Sequence, residues 1–358
     1  MKSKVITLLI ILSLLGSGCA IISSISVKND YQEITFEKLP ECFGLLQDDT
    51  LLYYCTGDRS VQYYAYGFEE QKNQKLGGLQ GHYILNYAAT VYKDNLYFYV
   101  ITFSGGKECH NQFYAINLTQ NELKEIEREE NSLGDIRAFP LGERIVALKK
   151  EQQQDRLITY VDSYYPATDT WERCCVKVCK EAEKMGSTIC AIHADGKYLY
   201  AIEKRYENGV GAYFFVTYHA DFQEENSFLL PEEIAEFVHK KTFTEMRVWN
   251  HFIYLKNTLN EGVIGYLENQ NIEKLYGAEK LWISATVCPN DEPIFYIHDT
   301  NIYFTLDAEH KKIVQHSTIE PYQFLEWATS SNAAVFVTNQ KRGDIKLIYV
   351  KREKLDKI

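Results

Sequence analysis

Three thiols fall within CCVKVC, 174–179, the densest run of metal-capable side chains in the chain. Structural zinc sites pair cysteines roughly two to four residues apart and need a second ligand pair. On a strand, Cys175 and Cys179 would share one face and Cys174 the other, and no matching histidine pair follows. No metal and no cofactor are expected. The nine cysteines are Cys19, Cys42, Cys55, Cys109, Cys174, Cys175, Cys179, Cys190 and Cys288. With Cys19 set apart, an even number remains, which an exported chain can oxidise. CFGLLQDDTLLYYC (42–55) reads as two strands around Asp48-Asp49, with Cys42 facing Cys55. Facing Cβ atoms approach to about 4.5–5.5 Å. A cross-strand disulfide and a pair of small buried hydrophobes both fit that placement.

The nine histidines are dispersed. His110 follows Cys109, and His193 reads as a core imidazole. There is no nucleophile elbow, phosphate loop or zinc-helix motif, so no catalytic residue is assigned. Glu69-Glu70 and Glu224-Glu225 lie in turns and read as solvated charge. The groups best suited to hold a ligand are Tyr83, Asn86, Arg137, Glu245, Arg247, Trp282, Glu326 and Trp327, near the starts of strands, with Arg205 from a loop. Aromatic faces stack on sugars or peptide groups, and guanidinium forks orient carboxylates. Such residues meet only if many short elements bring them to one place.

A repeat supplies those elements. YKDNLYFYV (92–100) is a polar turn running into aromatic and β-branched residues. HADGKYLYAI (193–202), VWNHFIYLKN (248–257) and CPNDEPIFYI (288–297) follow the same plan. Seven units can be placed, at 41–78, 82–130, 134–179, 187–230, 243–278, 281–318 and 322–358. Each reads as four strands. A single four-stranded sheet leaves two apolar faces wet, so stacking blades around an axis is the stable solution. Repeats of about 40–50 residues with four strands apiece are the mark of a β-propeller. The expected fold is all-β: a seven-bladed β-propeller over residues 31–358 with four-stranded antiparallel blades. YQEITFEKL (31–39) is expected to close the ring as the outer strand of the last blade, removing exposed edges. Two connections are enlarged. KEAEKMG (180–186) reads as a short helix stopped by Gly186, and PEEIAEFVHKK (231–241) as an amphipathic helix with stripe Ile234, Phe237 and Val238.

YVDSYYPATDTWERC (160–174) resembles the kelch-repeat pattern, carried by Tyr165-Pro166, Thr168 and Trp171. The kelch Gly-Gly pair is missing from its second strand, ERIVALKK. The resemblance implies architecture and transfers no catalytic residue.

The N-terminus has Lys2 and Lys4 before the apolar run VITLLIILSLL (5–15), which is too short to span a bilayer but suits a signal peptide. GSGC (16–19) resembles a bacterial lipobox, with Leu15 one place earlier than the family prefers. That resemblance implies a signal peptide over 1–18, a diacylated Cys19 and a polar tether over 19–30. The protein would then be exported and lipid-anchored at the extracytoplasmic face of a bacterial membrane. A formal net charge of −11 argues against a nucleic-acid partner. The expected function is a monomeric, non-catalytic module that binds a protein, peptide or glycan through the axial face. Two other readings are a glycan-active hydrolase or lyase using axial carboxylates, and an envelope-assembly scaffold. Palmitate labelling of the expressed protein is expected, and Cys19→Ala or globomycin should abolish it; an unlabelled wild type would remove the anchor.

Overall fold

The aromatic and β-branched runs become strands throughout, because both faces of each run can be covered. The computed structural model describes residues 22–27, 31–36, 42–57, 60–80, 84–104, 108–126, 137–240, 243–286, 288, 291–318, 323–339 and 345–357. Residues 1–18 and Cys19 lie outside them. The chain forms two compact units: Met1–His82 with Lys280–Ile358, and Tyr83–Glu279.

The first unit begins with β1 (Ile22–Val27) and β2 (Tyr31–Phe36). β3 (Cys42–Gln47), β4 (Thr50–Gly57), β5 (Ser60–Gly67) and β6 (Lys72–Gln80) form an antiparallel sheet in chain order. The second unit repeats that plan with β7 (Ile84–Tyr92), β8 (Asn95–Ser104), β9 (Glu108–Asn117) and β10 (Glu122–Ile126). Next come β11 (Phe139–Leu141), β12 (Arg144–Gln153), β13 (Arg156–Tyr165) and β14 (Thr170–Lys180). β15 (Met185–Ala194), β16 (Tyr198–Glu207), β17 (Val210–His219) and β18 (Glu224–Leu229) follow. Helix α1 (Glu232–Lys240) leads into β19 (Phe243–Trp249), β20 (Phe252–Asn257), β21 (Glu261–Glu268) and β22 (Asn271–Glu279).

The chain then returns to the first unit. β23 (Leu281–Ile283), β24 (Phe295–Ile297), β25 (Ile302–Asp307) and β26 (Lys312–Ser317) make another four-stranded sheet. β27 (Gln323–Thr329), β28 (Ala333–Asn339) and β29 (Ile345–Lys351) precede a 3₁₀ turn over Arg352–Lys357. β29 takes β2 as its antiparallel neighbour, Tyr31 opposite Val350 and Ile34 opposite Leu347. The N-terminal strand thus covers the edge of the C-terminal hairpin, as its position in the chain suggested. Ile22–Val27, read from the sequence as part of a tether, instead adds β1 outside β2.

Two-sided burial is visible within single strands. Leu96, Tyr97, Phe98 and Tyr99 are consecutive in β8 and all buried, as are Ala334, Val335, Phe336 and Val337 in β28. The turns match as well. Asp195 Oδ1 accepts the N–H groups of Lys197 (2.9 Å) and Tyr198 (2.8 Å), and Gly196 takes φ +91°. In α1 the stripe Ile234, Phe237 and Val238 packs on Met246 and Leu255. Glu232 and Glu233 occupy its first turn, where the helix dipole favours negative charge.

Residues 180–186 form no helix. Lys180 ends β14, four residues turn, and Met185 starts β15, with Cys179 opposite Gly186 and Lys180 opposite Met185. This hairpin joins two four-stranded sets into one eight-stranded sheet. Gly186 sits at φ +82°, and a Cβ there would lie 2.0 Å from the Val178 carbonyl oxygen. Gly186→Ala is expected to lower unfolding free energy by at least about 1–3 kcal/mol, the usual cost of a left-handed non-glycine residue. Urea denaturation measures it; an unchanged midpoint would refute the hairpin geometry.

Candidate functional site

In the second unit the first strands of successive four-stranded sets lie side by side: β7 against β11, β11 against β15, and β15 against β19. That arrangement gathers Arg137, just before β11, with His193 on β15, Glu245 and Arg247 on β19, and Lys256 on β20. Glu245 and Lys256 are cross-strand partners. Arg247 Nε donates to Glu245 Oε1 at 3.2 Å, and the two side chains keep 21% and 17% exposure. The Arg247 guanidinium lies 5.4 Å from the Phe139 ring centre, and Phe139 meets His193 edge-on at 5.0 Å.

The charges in this cluster shape one another. Burial acts to raise the Glu245 pKa, but Arg137, Arg247 and Lys256 outweigh it and hold the carboxyl below its ordinary range. Burial, aided by Arg137, pulls Lys256 below the usual lysine value although Glu245 opposes that. Burial, with Arg247 and then Arg137, drives His193 well below 6.5. His193 Nδ1 accepts the Val248 N–H at 3.3 Å, which places the proton of the neutral ring on Nε2. The cluster therefore presents three basic side chains to one permanent carboxylate beside a neutral imidazole. Such a group suits recognition of an anion.

Of the residues proposed from sequence, Arg137, Glu245 and Arg247 come together. Arg205 belongs to a different network. Its Nε donates to Glu203 Oε2 at 2.9 Å and its other end pairs with Glu224 at 3.0 Å. Glu203, wholly buried, also takes Lys177 at 3.4 Å and the Tyr218 hydroxyl, so this network clamps β14 to β16. Trp282 lies in the first unit, stacked 4.9 Å from His298. Trp327 is no rim residue. At 2% exposure it sits among Tyr296, Tyr303, Phe324 and Phe336 in the core, where its large apolar ring is best hidden. Tyr83 lies outside the described residues. Asn86 and Glu326 fall on β7 and β27, with their side chains outside the described set. Lys256 was missed, although the hairpin VWNHFIYLKN places it opposite Glu245 by symmetry about Asn250-His251.

The cysteine expectations change through register. A slip between Cys42 and Leu45 puts Tyr54, not Cys55, opposite Cys42, while Cys55 faces Gln62. The facing pair that suggested a disulfide is lost. Cys174, Cys175, Cys179, Cys190 and Cys288 are free thiols. Burial pushes Cys175 up to about 12 and Cys190 to about 11, so neither is a ready nucleophile. Among the described residues, no group of three or more His, Cys, Asp or Glu side chains could hold a metal ion. In the tract 160–174, Trp171 packs on Tyr164 at 5.0 Å and on Phe113 of the neighbouring sheet at 5.4 Å. Its ring is packing material.

Comparison with known proteins places this geometry in a class. An oligogalacturonate lyase in complex with manganese is similar over 94% of this chain and 96% of its own, at 9% identity and a TM-score of 0.52. The oligogalacturonate lyase of Vibrio parahaemolyticus covers the same shares at 8% identity and a TM-score of 0.52. The Cps50 (Swd1) β-propeller domain of Myceliophteria thermophila covers 94% and 99% at 10% identity and a TM-score of 0.48. The fold is of the β-propeller type, all-β with antiparallel four-stranded sheets. No family model matches the chain, and no curated protein matches it. With 609 solved chains alike, the fold is too common to select a function.

The neutral His193 has a consequence for stability. Its native pKa lies below the unfolded value of about 6.5, so the unfolded state binds the proton first. Its contribution is complete above about pH 6.5 and declines as pH falls, by up to about 1.4 kcal/mol per pH unit. His193→Asn keeps an acceptor for Val248 N–H without a titrating ring. Its melting temperature is expected to drop less between pH 7 and pH 5 than that of the wild type; equal drops would show that His193 protonates freely.

Proposed function

We propose that the protein is a non-catalytic binding module for a carboxylate-bearing glycan or peptide segment, held by Arg137, Arg247 and Lys256. The observation that carries this reading is the excess of basic groups around Glu245, on strands that leave Glu245 and Arg247 partly exposed. Guanidinium forks match carboxylates in two-point geometry, and Arg247 is already oriented by its bond to Glu245. A glycan hydrolase would instead need an acid whose pKa is raised. Glu245 is shifted the other way.

In this reading the sheets make a single seven-bladed ring closed by β2 beside β29, and the ligand meets its axial face. The protein is a monomer, exported through a signal peptide over residues 1–18 and anchored by a lipidated Cys19. β1 starts at Ile22, three Cα steps from Cys19, a reach of about 10 Å. The body then sits close to the extracytoplasmic membrane surface.

Titration calorimetry with a galacturonate oligomer, a poly-glutamate peptide and a neutral glucan tests the reading. One carboxylated probe is expected to bind, the glucan not. Arg247→Gln and Arg137→Gln should each weaken binding about 10–100-fold, in keeping with the ~1.5–3 kcal/mol of a charge-assisted hydrogen bond. Equal affinity for the glucan, or none for either acid, sinks the proposal.

A further inference from the structure

A pocket lies in the same unit and shares no residue with the cationic cluster. The turns Asn250-His251 and Asn269-Gln270 close β19–β20 and β21–β22 at one end of their sheet. The Leu267 N–H donates to the His251 carbonyl at 2.7 Å, and the His251 and Tyr266 rings lie 6.0 Å apart. Beside them stands the hairpin β17–β18 of the preceding sheet. Between the two is a half-open cleft of about 390 Å³, lined from β17, β18, the end of β21 and the two turns. That volume falls in the range of about 300–1,000 Å³ typical of small-molecule sites.

We propose that this lateral pocket binds a neutral sugar ring. Its accessible rings are the half-buried Phe228 and Tyr266, the first braced by buried Phe215 at 5.5 Å and the second edge-on by buried Phe252 at 5.1 Å. The C–H face of a pyranose packs on such rings. Around them stand Thr217, Asn226, Asn269 and Gln270, uncharged groups that both donate and accept hydrogen bonds. Hydroxyl groups offer the same dual chemistry, so each can be matched without burying a charge. Among the described residues no lysine or arginine lines the cleft, and its one carboxylate is Glu268. The ligand class is therefore opposite in charge preference to that of the Arg137–Arg247 cluster, and the inference does not depend on that cluster's function.

Saturation-transfer NMR on the full chain, with methyl glucoside, methyl galactoside and N-acetylglucosamine as probes and galacturonic acid as comparator, decides the matter. At least one neutral sugar is expected to receive saturation, and galacturonic acid is not expected to displace it. Tyr266→Ala and Asn226→Ala should each weaken the effect tenfold or more. Asn226 lies on the outer strand β18, so its variant decides the matter if Tyr266→Ala fails to fold. No transfer to any neutral sugar overturns the proposal. So does transfer that survives the folded variants, or displacement by galacturonic acid at equal concentration.

Discussion

A thin sheet with two apolar faces has no stable exposed state, and that constraint organises this molecule. In β8 and β28, neighbouring residues point to opposite faces, and both faces are dry. Neither face can be covered from within a four-stranded sheet. Each sheet must therefore be flanked, and the flanks must be further sheets of the same kind. The aromatic content follows from this. Tyr and Phe give the most buried area per strand position and stack across the gaps, as Phe68 does on Tyr349 at 4.0 Å, while Phe324 meets Phe336 of the adjacent strand edge-on at 5.2 Å. Fully burying one such side chain is worth about 1.5–3 kcal/mol, so the repeated hairpins carry most of the stability.

Dry faces make every charge on them expensive unless it is answered. The structure handles this in two ways. Glu203 is wholly buried and fully engaged, with Lys177, Arg205 and Tyr218 around it; burial first, then the nearby Glu203, holds the Tyr218 hydroxyl's pKa far above the usual value. Its network is closed and serves to tie strands together. The group around Glu245 is built differently. Three basic side chains surround one carboxylate, and the imidazole beside them stays neutral first because it is buried and then because Arg247 and Arg137 oppose a further positive charge. An unequal set of charges at partly exposed positions has a use that a balanced, buried one lacks.

Local features were legible in the sequence wherever the turn chemistry was strong. Asp48-Asp49, Lys93-Asp94 and Asp195-Gly196 mark hairpins that the structure reproduces, and the apolar stripe of α1 lies where its spacing put it. The pairing of β2 with β29 was readable from strand accounting alone: an unassigned strand at one end and an open edge at the other. Bulges were not readable. A single extra residue moves every later side chain by one register position, which is how Cys42 came to face Tyr54 and how Cys175 took φ +48° inside β14. KEAEKMG has a helical composition, but seven residues between two long strands gain more from continuing the ladder than from one helical turn. Trp327 was misplaced because a tryptophan at a strand start reads equally well as a stacking platform and as core. Only its neighbours decide, and they come from β24, β25 and β28.

The electrostatic influence of Arg137 on Glu245 shows the limit most clearly. More than a hundred residues separate them, and no periodicity predicts which charged side chains on different sheets will face each other. What the sequence does carry is the local half of the site: Glu245, Arg247 and Lys256 lie in one hairpin, with Glu245 and Lys256 equidistant from its turn. Such a hairpin brings its own counter-ions to Glu245. Glu245, Arg247 and Lys256 already leave one positive charge over, and Arg137 adds a second. Tertiary structure thus enlarges a surplus that the hairpin begins, and the enlarged set exists only while the neighbouring first strands stay packed against one another.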